Sequence, residues 1–237
     1  MNKKGIILAG GTGSRLDPLT RVTNKHLLPI YDKPMIYYPI QTLKDMGIND
    51  IIIVSGRGHA GHFLELLGSG ETLDIKLHYA VQERAGGIAE ALNLTKPFID
   101  ESDTIVVILG DNIYLSPQSI GKYNKGCQIY LTTVSDPERF GVVKFNDKGG
   151  IEKIIEKPLI PPSNQAVTGL YIFDYNVYNI INTLSPSHRG ELEIVDAIND
   201  YLYHGNLTYE TVNGDWSDAG TIESLYEAAT VVRNNKK

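Results

Sequence analysis

The sequence predicts an α/β fold with a doubly wound, mostly parallel central sheet flanked by helices. Two observations carry this. Short apolar runs rich in β-branched residues recur through the first half, and helix-length segments that stop at glycine lie between them. Such alternation reads as strand–helix–strand units around a parallel sheet. A third observation adds a refinement. After residue 135 the texture changes to short strands separated by turn residues, so part of the sheet is expected to be mixed.

The first run, Gly5–Ala9, is a short buried strand that empties into Gly10-Gly11-Thr12-Gly13-Ser14-Arg15, with Lys25-His26-Leu27-Leu28-Pro29 close behind. Pro34–Met46 is amphipathic and stops at Gly47, which predicts a helix. Asp50–Ser55 is the next strand, and His59–Leu67 is a helix closed by Gly68. Lys76–Val81, Thr104–Leu109 and Gln128–Val134 are further strands, with a helix over Gly87–Leu94. Beyond residue 135, Gly141–Phe145, Ile151–Glu156 and Val167–Phe173 read as strands. Tyr175–Leu184, Glu191–Tyr203 and Ile222–Arg233 read as helices, and Leu207–Val212 as a strand between the last two. The stiff turn Pro158-Leu159-Ile160-Pro161-Pro162 is too short to separate domains, so 1–237 is expected to form one domain.

Composition narrows the class. A chain of 237 residues, 42% hydrophobic and 21% charged, can bury a sizeable core without disulfides. A net charge of −6 argues against a nucleic-acid binder, which presents a basic face. It leaves room for a small anionic ligand, because local cations and backbone dipoles set the field in a cleft. The single cysteine, Cys127, reads as a small buried residue and gives no thiolate metal cluster. The apolar run after Lys3 and Lys4 is too short for a signal peptide, and no run approaches the ~20 apolar residues of a membrane span. A cytoplasmic location is expected.

In open α/β sheets, ligands sit beyond the carboxyl ends of the strands. That selects Gly10–Arg15, Ser55–His59, Gln82–Gly87, Gly110–Asn112 and Ser135–Arg139. The glycine turn lets backbone N–H groups approach phosphate oxygens, and Arg15 offers a guanidinium fork matched to phosphate. It is neither a phosphate loop closed by Gly-Lys-Ser/Thr nor a G-x-G-x-x-G turn. Asp111 ends a central strand, where a carboxylate can hold Mg²⁺ together with phosphate oxygens. Asp218 reads either as a second carboxylate of that site or as a helix cap. Glu156-Lys157 could accept sugar hydroxyls and meet a phosphate. His59 and His62 lack an evident third metal ligand, and no nucleophile elbow is present.

The segments ILAGGTGSRL at 7–16, NKHLLPIYDKPMIYYP at 24–39, YAVQ at 79–82, GGIAEAL at 86–92, VVILGDN at 106–112, DPERFGVVKF at 136–145, EKP at 156–158, AVTGLYIFD at 166–174, RGELEIVD at 189–196 and WSDAG at 216–220 carry a resemblance over nearly the whole chain. It resembles the sugar-1-phosphate nucleotidyltransferases, in a short form without the C-terminal helical extension of longer members. The resemblance implies a Rossmann-like sheet with a nucleotide-binding part over about 1–135 and a sugar-binding part over about 136–220. It implies transfer of a thymidylyl group from dTTP to glucose 1-phosphate, giving a dTDP-sugar and pyrophosphate, with Mg²⁺ as cofactor, in a homo-oligomer. A UTP-dependent uridylyltransferase and a non-catalytic nucleotide-sugar sensor are the alternatives.

By the same resemblance, Leu8, Ala9, Gly10, Gly11, Thr12, Gly13, Arg15, Lys25, Gln82, Gly87 and Asp111 would hold the nucleotide, with Gln82 pairing doubly with a pyrimidine edge. Asn112, Gly141, Glu156, Lys157, Val167, Tyr171, Arg189 and Trp216 would hold the sugar phosphate. Arg15, Lys25 and Lys157 would be catalytic, and Asp111 and Asp218 would bind the metal. Two departures stand out: Phe140 where a Tyr is common, and His26 where a Gln is common.

Overall fold

A strand that is apolar at successive positions has no face to show water, so helices must cover both sides of its sheet. The computed structural model describes residues 2–121 and 123–236 and solves the problem in that way. In chain order the elements are β1 (Lys3–Ala9), β2 (Pro29–Ile30), β3 (Lys33–Pro34), α1 (Tyr37–Asp45), β4 (Asp50–Gly56), α2 (Ala60–Leu67), β5 (Lys76–Gln82), α3 (Ile88–Asn93), β6 (Thr104–Leu109) and β7 (Asn112–Tyr114). There follow β8 (Cys127–Thr133), β9 (Gly141–Phe145), β10 (Ile151–Glu156), β11 (Gln165–Phe173), α4 (Val177–Ile181), α5 (Ile194–Tyr203), β12 (Leu207–Thr211), β13 (Trp216–Asp218) and α6 (Ile222–Asn235).

Side chains alternate across each central strand and feed two cores. On β1, Ile6 and Leu8 join one core and Ile7 and Ala9 the other; β4 and β6 divide in the same way. Helices α3, α4 and α5 close the first core, and α1 and α2 close the second. A third, smaller core lies under α6, where Ala228 and Val232 pack on Ile30, Met35, Tyr38 and Ile113. Helix α6 starts with a capping box in which Thr221 and Ser224 satisfy each other's backbone N–H groups.

The main sheet has nine strands in the order β10-β9-β11-β6-β1-β4-β5, with β8 joined to β11 and β12 to β8. β6, β1, β4 and β5 run parallel. β11 is antiparallel to β6, β8 and β9, so the sheet is mixed as expected. Cys127 is fully buried and unpaired.

Several element boundaries differ from expectation. The helix expected from Pro34 begins at Tyr37, because Pro34 pairs with Pro29 in the small β2–β3 ribbon. The helix expected over Tyr175–Leu184 is confined to Val177–Ile181. The helix expected from Glu191 begins at Ile194, because Leu192 is claimed by the loop before α3. Its N–H donates to Gly86 and its carbonyl accepts from Ala89. The ribbon β7–β13 was not expected at all.

Candidate active site

From β1 the chain moves out to β4 and β5, then returns to β6 on the other side of β1. The loops leaving β1 and β6 therefore diverge, and such a switch in strand order leaves a crevice at the carboxyl ends. A cavity of about 310 Å³ fills it.

Leu8, Gly10, Gly11 and Arg15 form one wall. Gly10 leaves room for Gln82: a Cβ there would lie 2.6 Å from its Oε1. Asn24, which sequence reading passed over, staples this turn to the next. Its Nδ2 donates to the Ala9 carbonyl at 3.3 Å, and its Oδ1 accepts from the His26 N–H at 2.9 Å. Lys25 is thereby presented to the cavity, where its Nζ lies 2.5 Å from Asp111 Oδ2. Burial alone would raise the Asp111 pKa; the Lys25 charge overcomes this and holds the carboxyl well below the usual range. His26 packs behind, 1% exposed, with Nδ1 2.7 Å from Asn24 Oδ1. Burial, then the adjacent Lys25 charge, pushes its pKa down to about 3.

Asp111 and Asp218, far apart in sequence, face the same cavity. The ribbon causes this: β13 pairs antiparallel with β7, setting Asp218 opposite Asn112. Asn112 locks the ribbon to the sheet. Its Oδ1 accepts from the Gly169 N–H at 2.9 Å and from Trp216 Nε1 at 2.7 Å, while its Nδ2 donates to Asp111 at 3.2 Å. Asn112, expected to contact a sugar, lines the cavity while its oxygen is engaged in the scaffold. Asp218 is ion-paired with Arg139, a cavity residue that sequence reading placed near the site without a role. Burial, with repulsion from Asp111, lifts the Asp218 pKa to about 6 against the pull of Arg139 and Arg15.

The far wall is a rung across three strands. Glu156 of β10 stands opposite Gly141 of β9, which stands opposite Val167 of β11. These three residues line the cavity with Tyr171, Lys157, Arg189 and Trp216. Glu156 is 3.3 Å from both Lys157 Nζ and Arg189 Nη2. Burial raises the Glu156 pKa against those cations. Lys157 adopts φ 42°, a left-handed conformation uncommon for a side chain with a Cβ and held here at the mouth of a cavity. Phe140 packs edge-on against Trp216, with ring centroids 5.5 Å apart.

Gln82 and Gly87 also line the cavity, but the double pairing expected of Gln82 does not fit. Its Nε2 donates to the Gly87 carbonyl at 3.2 Å and to Glu90 Oε2 at 2.8 Å, which uses both amide protons. Oε1 alone is left to face a ligand. Three residues expected on the nucleotide are not in the cavity wall. Ala9 is fully buried in β1, Gly13 turns its carbonyl to the Thr20 hydroxyl at 2.9 Å, and Thr12 projects to solvent. Ser55–His59 is also outside it, because the chain there folds straight back into α2. Among the described residues, no cluster of three or more His, Cys, Asp or Glu suits a metal, so the cavity offers a carboxylate pair. No helix among them is long and apolar enough to cross a membrane.

Comparison with known proteins adds independent findings. The family model for nucleotidyl transferase matches residues 4–235. The chain is 43% identical to a glucose-1-phosphate thymidylyltransferase of Neisseria meningitidis, over 97% of this chain and 82% of that one. It is 41% identical to the Mycobacterium tuberculosis enzyme of the same name, with the same coverage. A Bacillus anthracis crystal structure assigned to glucose-1-phosphate thymidylyltransferase, in complex with a sucrose, superposes with a TM-score of 0.91 at 48% identity, covering 98% of this chain and 96% of that one. A UDP-glucose pyrophosphorylase solved with UDP-glucose shares the fold, with a TM-score of 0.84 at 24% identity and both chains fully covered.

Proposed function

The chain belongs to the nucleotidyl transferase family, and from that premise we propose that it joins dTTP and α-D-glucose 1-phosphate, giving dTDP-glucose and pyrophosphate. The names of its relatives support this substrate pair. The observation that carries the chemistry is the division of the cavity's cations into two groups. Lys25 sits on Asp111 with Arg15 within reach of Asp218, and Lys157 and Arg189 both sit on Glu156. Two anionic substrates need two such groups.

The sugar phosphate oxygen is ionised at neutral pH and attacks the α-phosphorus in line. One P–O bond forms, and the bond to the departing pyrophosphate breaks. No general base is required, which fits a cavity without an available histidine. The barrier lies in bringing two anions together, so positioning and charge neutralisation supply the catalysis. Arg15 and Lys25 stabilise charge on the departing pyrophosphate. Lys157 and Arg189 hold the incoming phosphate, and Glu156 and the Tyr171 hydroxyl face the sugar. The Gln82 oxygen accepts from the base.

Mg²⁺ is the cofactor assigned to Asp111 and Asp218. Two cavity carboxylates close enough for one to raise the other's pKa are a donor set that a divalent cation relieves. When bound, the ion supplies positive charge to the phosphate oxygens. The same proposal includes a homo-oligomer and a cytoplasmic location, which the buried, unpaired Cys127 fits.

The test is a matrix of four nucleoside triphosphates against several sugar 1-phosphates, read as phosphate after pyrophosphatase. Highest turnover is expected with dTTP and glucose 1-phosphate, and lower turnover with UTP, since one methyl group is worth little discrimination. Arg15→Ala should lower kcat about 10²–10³-fold with an unchanged melting temperature, because Arg15 is exposed and supports no core. Product formation with no triphosphate, or only with a purine triphosphate, overturns the proposal.

A further inference from the structure

We propose that Glu90 is a positioning residue that sets base selection by fixing which end of the Gln82 amide faces the cavity; this deepens the proposed function and rests on its assignment of Gln82 to the base. An amide side chain is nearly symmetric in shape and opposite in hydrogen-bonding sense at its two ends. Whichever end faces the nucleotide decides whether the base must donate or accept.

The structure fixes that choice from behind. Glu90 lies on α3 outside the cavity wall. Its Oε2 accepts from Gln82 Nε2 at 2.8 Å and from the Gly86 N–H at 3.0 Å. Its Oε1 takes Arg84 Nε at 3.2 Å. The second Gln82 proton goes to the Gly87 carbonyl. Turning the amide over would set its oxygen against a carboxylate and a carbonyl, leaving three acceptors facing one another. Oε1 therefore points toward Gly10, whose missing side chain leaves it room.

A base meeting this oxygen must bring an N–H, and a pyrimidine held with its N3 edge against the oxygen must bring it from the ring. Thymine and uracil do so at N3. Cytosine has a lone pair there and would place acceptor against acceptor. A site built to receive a donor rejects its absence by orders of magnitude. Glu90 is thus expected to enforce thymine and uracil over cytosine without touching the nucleotide.

Steady-state kcat/KM with dTTP and with dCTP, compared between the natural protein and Glu90 variants, tests this. In Glu90→Leu the carboxylate that accepts from Gln82 Nε2 is gone, and only the Gly87 carbonyl still opposes a reversed amide. The dTTP/dCTP ratio should then fall about tenfold or more, a difference of about 1.4 kcal/mol per factor of ten. Glu90→Gln should keep the natural ratio, since one amide oxygen can accept both bonds now made to Oε2. Glu90→Ala reads the same ratio should Glu90→Leu not fold. If Glu90→Leu or Glu90→Ala lowers kcat/KM equally for both nucleotides, Glu90 is merely structural and the inference is overturned. If the natural protein itself uses dCTP as well as dTTP, the base-site reading fails instead.

Discussion

His26 shows how much one side chain's surroundings decide. Its ring fills the space over Gly110, where a Cβ would come within 2.6 Å of it. Burial holds its pKa at about 3, below the 6.5 of an exposed histidine. The folded state therefore takes up the proton less readily than the unfolded chain does. Its contribution to stability is complete above about pH 6.5 and is lost as pH falls from there toward 3. Below about pH 6 the expected slope is about 1.4 kcal/mol per pH unit from this one group. Urea midpoints at pH 7, 6 and 5 should fall more steeply in the natural protein than in His26→Gln. Parallel curves for the two proteins would remove His26 from the acid response. At this scale the sequence was partly legible. Residue type gave Arg15 and Lys25 their phosphate chemistry. It did not tell which end of the Gln82 amide was spent, nor that Asn24 steers Lys25, because both depend on partners brought in by folding.

Among the elements, the long parallel strands could be read from sequence and the ribbon could not. β1, β4 and β6 announce themselves because burial on both faces demands near-continuous apolar runs, whereas β5, at the sheet edge, mixes polar and apolar positions. β7 and β13 have three residues each and pair across about a hundred positions. No local periodicity can report such a contact; residue type left Asp218 open between a second carboxylate beside Asp111 and a helix cap, and the resemblance chose the first. The ribbon depends on Asn112, whose oxygen serves two donors. Asn112→Ala should strand both and cost ~2–4 kcal/mol of stability. Trp216 is the chain's single tryptophan, so its fluorescence reads the ribbon directly. A lowered unfolding midpoint and a red-shifted native emission are expected. Unchanged emission would mean that the ribbon holds its place without this amide.

Across the whole molecule, the electrostatic sign of the cavity opposes that of the surface. The protein carries −6, yet the cavity wall has five cations, Arg15, Lys25, Arg139, Lys157 and Arg189, against four carboxylates, Asp111, Glu156, Glu191 and Asp218. If the local field governs capture, added salt screens an attraction, and the KM for dTTP should rise roughly three- to tenfold between low salt and 0.3 M, where the Debye length is well under ~10 Å. If the net charge governs, salt screens a repulsion and the KM should fall. A salt titration of KM, at constant free Mg²⁺, separates the two by sign alone. The late return of β13 to β7 also bears on biosynthesis. A growing polypeptide displays its glycine turn, Lys25 and Asp111 early, but the opposing acid arrives only once residue 218 clears the ribosome. A fragment that ends before β13 thus lacks the second of the two carboxylates proposed to hold the metal.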